Sequence, residues 1–207
     1  GDVIIPANIQ KSVPTAVYRF DETSDLYFDA TKQKKAIPTI NNSANLVFDN
    51  TIKKFGLGSL KFQSYGSLTW ADFDNNNDWT VAMFVKMSSS HTANNPKMEL
   101  VNVVDDSGSV IKLIVNGDST DPNFGKIALE ISPQGGGGTT VYSVGSTYFT
   151  TMAAEAWHHF AIVKEEPSLG SYDYSIYFDG ARVCTATRTE DIAMDDLTTG
   201  CATSGQD

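Results

Sequence analysis

The 207-residue sequence predicts an all-β fold, an antiparallel β-sandwich or jelly roll. Two observations predict it. Many short runs alternate apolar and polar residues with the period of two that is typical of strands. Between these runs lie polar clusters such as Asp74–Asp78 and Gly135–Gly138, which are typical of turns.

The alternating runs place the strands along the chain. The predicted strands are 16–20, 46–48, 59–63, 67–70, 79–87, 98–104, 109–115, 126–132, 139–143, 157–164, 173–179 and 181–187. In strand 79–87, we expect the face containing Trp79, Val81 and Val85 to enter the core, and the face containing Phe84 to point away from it. A single helical turn is predicted at 151–155.

One hairpin is predicted with particular clarity. Trp157–Lys164 alternates like a strand packed on at least one face, and a second strand runs into Asp179-Gly180, a strong hairpin-turn signal. Because His158 and His159 are adjacent on a strand, they should point to opposite faces. We expect one to lie beneath the sheet and the other to be at the surface.

Four motifs in this order resemble laminin-G-like domains of the concanavalin-A-like jelly rolls. They are Ala16–Glu22, Phe55–Phe62, Asp78–Lys86, and the pair formed by Trp157–Lys164 and Tyr177–Gly180. The resemblance implies an all-β, antiparallel β-sandwich of concanavalin-A-like jelly-roll topology. We expect an N-terminal arm at 1–14 and one jelly-roll domain at 15–207.

The same resemblance implies a function class. Such domains more often hold a glycan or a partner surface than perform chemistry, and the Lys54–Phe62 version resembles phage and marine bacterial surface proteins. We therefore expect a non-catalytic binding or adhesion module at a virion surface or outside the cell. The alternatives are a purely structural assembly domain and, less expected, a glycoside hydrolase.

The charge and the distribution of apolar residues argue against two classes of partner, nucleic acid and the membrane interior. The net charge is −10, and 32–35 is the one dense basic run, so nucleic acid is not expected as a ligand. No apolar run has the length of a membrane span.

Catalytic patterns are weak. Glu99 and Glu130 each lie on a predicted strand without the acidic partner two residues away that a two-carboxylate mechanism on one strand would use. Neither cysteine lies in a recognisable nucleophile motif. The sequence therefore predicts no catalytic residue.

Binding residues are predicted at loops and strand ends. The candidate aromatic platforms for a sugar ring are Trp70, Tyr142, Tyr148 and Tyr172. A loop calcium site is predicted from alternating oxygen ligands at Asp72, Asp74, Asn76 and Asp78, with Asp105 or Asp106 as rim contributors. The alternative is an Asn/Asp-rich turn without metal.

The segment after Asp179-Gly180 is predicted to depend more than the rest of the fold on contacts that cover its edge. Nothing after Asp179-Gly180 matches the closing strand of the resembled family, so the edge of the 173–187 hairpin needs cover, and residues 188–207 are expected to provide it. One possibility is a Cys184–Cys201 disulfide, which laminin-type relatives often have in this region, and the other is two free thiols. Pairing with a second copy, giving a homo-oligomer, is the alternative way to cover the edge.

Overall fold

The computed structural model describes residues 38–54, 57–62, 66–73, 77–87, 98–116, 120–143 and 156–200. Apart from one 3₁₀ turn at Ser43–Asn45, the regular structure of these residues is β-strand. The strands are β1 (Thr39–Asn41), β2 (Leu46–Asp49), β3 (Ser59–Phe62), β4 (Ser67–Trp70), β5 (Trp79–Lys86), β6 (Met98–Val104), β7 (Val110–Val115), β8 (Ile127–Ser132), β9 (Thr139–Tyr142), β10 (Trp157–Ser168), β11 (Ser171–Phe178), β12 (Ala181–Arg188) and β13 (Asp196–Gly200).

The strands form two large antiparallel sheets and one small one. The seven-stranded sheet has the order β1-β4-β13-β6-β7-β8-β9, the four-stranded sheet has the order β12-β11-β10-β5, and β2 pairs with β3. The inner faces of the two large sheets enclose one apolar core that includes Leu113, Leu129, Phe160, Tyr174 and Ile176. The predicted antiparallel β-sandwich is confirmed.

The strand predictions from 46–48 to 181–187 are confirmed, with ends that differ by a few residues. The predicted face of β5 is confirmed as well: Trp79 is 3% exposed, whereas Phe84 is 43% exposed. The predicted arm at 1–14, the strand at 16–20 and the helical turn at 151–155 lie outside the described residues. No described helix is long and apolar enough to cross a membrane.

The C-terminal expectation needs a correction. We expected the residues after 188 to cover the edge of the hairpin, but β13 lies in the other sheet, where it pairs with both β4 and β6. Just before it, Ile192 and Met194 fill the core at 0% and 6% exposure. The segment after 188 therefore contributes an interior strand of the other sheet, and the outer edge of β12 is not paired by any described strand.

The two ends of the sandwich are named by described residues: the acidic end carries Asp105, Asp106, Glu190, Asp191 and Asp195, and the Asp179 end carries the turn Asp179-Gly180. At the acidic end, the turns 105–109 and 133–138 meet the loop 189–195: Gln134 N donates to Ser109 Oγ at 3.1 Å, and Asp106 N donates to Asp195 Oδ2 at 2.6 Å. At the opposite Asp179 end, the turn Asp179-Gly180 joins β11 and β12 with positive φ at both residues. This backbone conformation is the one that Asp-Gly hairpin turns favour.

Candidate functional site

The three predicted aromatic platforms that the structure describes do not form one site. Trp70 is 5% exposed because it alternates in phase with Leu68, which faces the core, so it does not offer an exposed ring. Tyr142 is half-buried on β9 towards the Asp179 end, whereas Tyr172 is half-buried on β11 at the acidic end. Tyr148 lies outside the described residues.

The predicted calcium loop is described only at its two ends. Asp72 is exposed with φ 61, and Asp78 Oδ1 accepts a hydrogen bond from Glu166 N at 3.0 Å. Asp74 and Asn76 lie outside the described residues. Within the residues that the structure describes, no three or more acidic, histidine or cysteine side chains are grouped to hold a metal ion. Calcium binding by this loop stays a prediction.

Of the two cysteines in the predicted disulfide, the structure describes Cys184. Cys184 lies on the inner face of β12 at 8% exposure, and burial raises the pKa of its thiol to about 11. Cys201 lies outside the described residues, so the bridge stays a prediction.

Tyr172 belongs to a charged cluster at the acidic end. The ammonium of Lys164, a residue only 1% exposed, lies 5.2 Å from the centre of the Tyr172 ring and pairs with Asp191. Burial and the nearby carboxylates of Asp191 and Glu166 raise the pKa of Tyr172. The cluster lies at the rim of the sandwich, between the four-stranded sheet and the loop 189–195.

A shallow depression lies beside this cluster. It has a volume of about 300 Å³ and is lined by Ser171, Thr187, Arg188, Thr189 and Glu190. Arg188 crosses the gap between the sheets, since its Nη1 donates to Thr139 Oγ1 at 2.7 Å and its Nε donates to Glu190 Oε2 at 3.0 Å. The depression offers hydroxyls and one ion pair, but it is open and its arginine is already engaged.

A larger polar feature runs across the outer face of the seven-stranded sheet. Residues directly opposite one another on successive strands form an unbroken line, which we call the polar row: Thr39, Thr69, Thr198, Asn102, Lys112, Glu130 and Thr140. Every member is half-exposed or exposed. With strands about 4.8 Å apart, the row spans about 29 Å.

Two glutamates and a lysine form the charged part of this surface. Lys112 Nζ donates to Glu99 Oε2 at 2.8 Å, and Lys112 lies directly opposite Glu130. Glu99 is 4% exposed although it lies on the outer face, beside Ile114 at 3%. Between the polar row and the Asp179 end, these outer-face residues are therefore buried. The exposed part of the face begins at the polar row itself.

The polar row was not predicted from the sequence. A signal was available, because Lys112 and Glu130 are single charged residues within otherwise apolar strands. A charge at such a position is expected on the outer face of a sheet. The register that aligns these residues with Thr69 and Thr198 is a property of the fold.

Comparison with solved structures supports the architecture. Three similar structures are the endo-β-1,4-glucuronan lyase of the fungus Trichoderma reesei (TM-score 0.55, 11% identity, covering 78% of this chain and 77% of the lyase), the binding domain of Paraclostridial Mosquitocidal Protein 1 (0.57, 11%, 84% and 41%), and the binding domain of botulinum neurotoxin DC in complex with SialylT (0.58, 12%, 84% and 40%). The chain spans about two fifths of each toxin structure. At these identities the likeness shows a common fold.

Sequence comparison gives the family. No curated protein sequence matches the chain. Residues 60–207, more than half of the chain, match the laminin G profile described as the concanavalin A-like lectin/glucanases superfamily. The chain therefore belongs to the concanavalin A-like lectin/glucanases superfamily.

Proposed function

We propose that this protein is a non-catalytic glycan-binding module of a secreted, cell-surface or virion protein, and that the polar row is its binding surface. The observation that carries the proposal is the unbroken line of hydroxyl, amide and charged groups across all seven strands. A row of this length fits an extended oligosaccharide lying across the strands. Hydroxyl and amide groups both donate and accept hydrogen bonds, as sugar hydroxyls do.

The fold relatives support a binding role. The binding domain of botulinum neurotoxin DC, which has this fold, is described in one structure in complex with SialylT and in another in complex with rat synaptotagmin II. A second relative, the glucuronan lyase, is an enzyme named for a polysaccharide.

The Glu99–Lys112–Glu130 arrangement favours binding over hydrolysis. A two-carboxylate glycosidase places its two carboxyl groups about 5–9.5 Å apart on either side of the scissile bond. Here an ammonium on the strand between them donates directly to Glu99, whose side chain is 4% exposed. This carboxylate is therefore already paired and has little surface to offer to a sugar.

A glycan array followed by calorimetry on the best hits tests the proposal, with and without a chelator. Asn102→Ala and Glu130→Ala should each weaken binding about fivefold to tenfold, because each removes hydrogen-bonding groups from the centre of the row. Tyr172→Ala at the acidic end is the matched control and should leave the affinity unchanged. Loss of binding in the control alone would move the site to the rim depression.

Catalysis is tested separately. Incubation with laminarin, agar, carrageenan and xylan should release no reducing ends. Sustained release that disappears in Glu99→Gln would replace the binding proposal with a hydrolase. A calcium requirement, seen as binding lost with the chelator, would support the loop 72–78 as a metal site.

A structural assembly role is the second candidate. The eight-residue β12 lies at the edge of its sheet in the described part of the chain, and such an edge can pair with a second copy. Size-exclusion chromatography with light scattering tests this under oxidising and reducing conditions. A monomer in both conditions, with fast hydrogen exchange at the β12 amides that point away from β11, would exclude edge pairing.

A further inference from the structure

The outer face of the four-stranded sheet contains a second surface with different chemistry. Towards the Asp179 end, this face carries aromatic and basic side chains that we call the aromatic–basic patch: Phe84, Lys86, Trp157, His159, Tyr177 and Arg182. Its position on the outer face follows from the register. Phe84 pairs with His159, Lys86 with Trp157, and Tyr177 with Arg182, whereas their neighbours Phe160, Ile176 and Phe178 lie in the core.

The patch is accessible and partly organised by its own contacts. Phe84 is 43% exposed, and its ring centre lies 5.0 Å from that of His159 at a tilt of 60°. The ammonium of Lys54 lies 5.4 Å from the centre of the same ring. Trp157 and Tyr177 are half-buried and Arg182 is exposed. Rings held at fixed angles provide apolar area at a small entropic cost.

Charge on this face is unevenly distributed. Lys54, Lys86 and Arg182 bring three cations to the patch of a chain whose net charge is −10. The neighbouring carboxylate of Asp179 is engaged: its Oδ2 lies 2.7 Å from His158 Nδ1, and its Oδ1 accepts a hydrogen bond from His159 N at 2.8 Å. The acidic pair on this face, Glu165 opposite Asp173, lies at the other end of the strands.

We propose that the aromatic–basic patch binds an anionic saccharide, namely an oligosaccharide of uronic acid units. A guanidinium offers a planar fork that matches a carboxylate, and exposed rings such as Phe84 pack against the C–H faces of a sugar. A neutral glycan would form no ion pair with Lys86 or Arg182, and an acidic peptide would use these cations but not a row of rings. This surface lies on the opposite sheet from the polar row, so it does not depend on the function proposed there.

The test compares two ligands that differ mainly in charge: a β-1,4-linked oligoglucuronate and a cello-oligosaccharide of the same length. Calorimetry at physiological salt should show the oligoglucuronate binding at least about tenfold more tightly. Arg182→Ala and Phe84→Ala should each weaken its binding about fivefold or more. Lys126→Ala, which removes one positive charge on the seven-stranded sheet, is the control and should change the Kd less than twofold.

Several outcomes would overturn the proposal. They are equal affinity for the two oligosaccharides, binding that survives both patch variants, and loss of oligoglucuronate binding in Glu130→Ala alone, which would assign the ligand to the polar row. Equal or tighter binding of a sulfated oligosaccharide, polyglutamate or single-stranded DNA would replace uronate as the ligand. Because Phe84 and Arg182 are exposed, their variants should melt within a few degrees of the parent, and Lys86→Ala provides a third substitution.

Discussion

Asp179 is expected to stabilise the hairpin through its side chain as well as through its turn conformation. It has φ 47, a left-handed conformation that asparagine tolerates nearly as well as aspartate. Asp179→Asn therefore keeps the backbone and one acceptor oxygen but removes the negative charge opposite His158. Asp179→Ala removes both side-chain hydrogen bonds and also the short polar side chain that makes aspartate more tolerant of positive φ than alanine is.

The size of the effect follows from these contacts. A hydrogen bond to a charged group contributes about 1.5–3 kcal/mol. The Asp179 side chain is 47% exposed, so solvent screening reduces the expected loss in Asp179→Asn to about 1 kcal/mol. For a domain of this length, that loss lowers the Tm by about 2–4 °C. The alanine variant should lose about 3 kcal/mol, because a second bond and the backbone preference are lost as well.

The effect should depend on pH. Burial would raise the pKa of Asp179, but hydrogen bonds from His158 and from the His159 backbone, with the charges of both histidines, hold the pKa below its ordinary value of 3.8. A carboxylate with a lowered pKa stabilises the fold above 3.8, and this contribution disappears as the pH falls through the folded-state value.

Urea unfolding of the parent and of Asp179→Asn, from pH 7 down to pH 3, measures this dependence. Their difference should be largest at neutral pH and shrink below pH 4. Asp72→Asn is the matched control, because Asp72 also has a positive φ, 61°, and is exposed. A variant as stable as the parent, or a difference that does not change with pH, would refute this account.

Three further predictions concern separate parts of the fold. Gly58→Ala should lower the free energy of unfolding in urea by about 1–3 kcal/mol, because its Cβ would lie 2.4 Å from a phenylalanine ring of β2. Gly138→Ala, whose Cβ would lie 3.4 Å from its nearest atom, should leave this free energy unchanged. Cys184 is buried, so it should resist alkylation in the native protein, and its alkylation there would contradict this burial. After unfolding without reductant, alkylation of both cysteines would show two free thiols, and protection of both would show the Cys184–Cys201 bridge. If the loop 72–78 binds calcium, millimolar calcium should raise the Tm of metal-free protein, and no change in calorimetry would count against the site.

Much of the fold could be predicted because its signals are local. The alternation in 79–87 and the turn at Asp179-Gly180 each specify one element without reference to the rest of the chain. The strand β13 was missed for a related reason. Asp196–Gly200 has five residues and one large apolar side chain, Leu197, so its own pattern is weak. It is a strand because β4 and β6 pair with it on both sides.

The candidate sites depend on information that is not local. Thr69 and Thr198 are 129 positions apart, yet their hydroxyl oxygens lie 2.9 Å apart because β13 inserts beside β4. Trp70 illustrates the opposite case. An aromatic residue at a strand end can serve as a sugar platform or as core, and the phase of the alternation, set by Leu68, places it in the core. Aromatic identity alone does not distinguish these two outcomes.

The distribution of charge sets a limit on how the aromatic–basic patch can work. A net charge of −10 repels any polyanion at a distance, but charges farther apart than about 8 Å are largely screened at physiological salt. Direct contacts between a carboxylate and Arg182 are screened less, because the ions touch. Added salt should therefore weaken long-range repulsion and contact attraction together, which gives a shallow salt dependence. Binding to a dense basic surface is driven by counterion release and has a steep salt dependence. The patch thus suits a ligand with one charge per sugar unit and apolar faces between the charges, recognised mainly by contact.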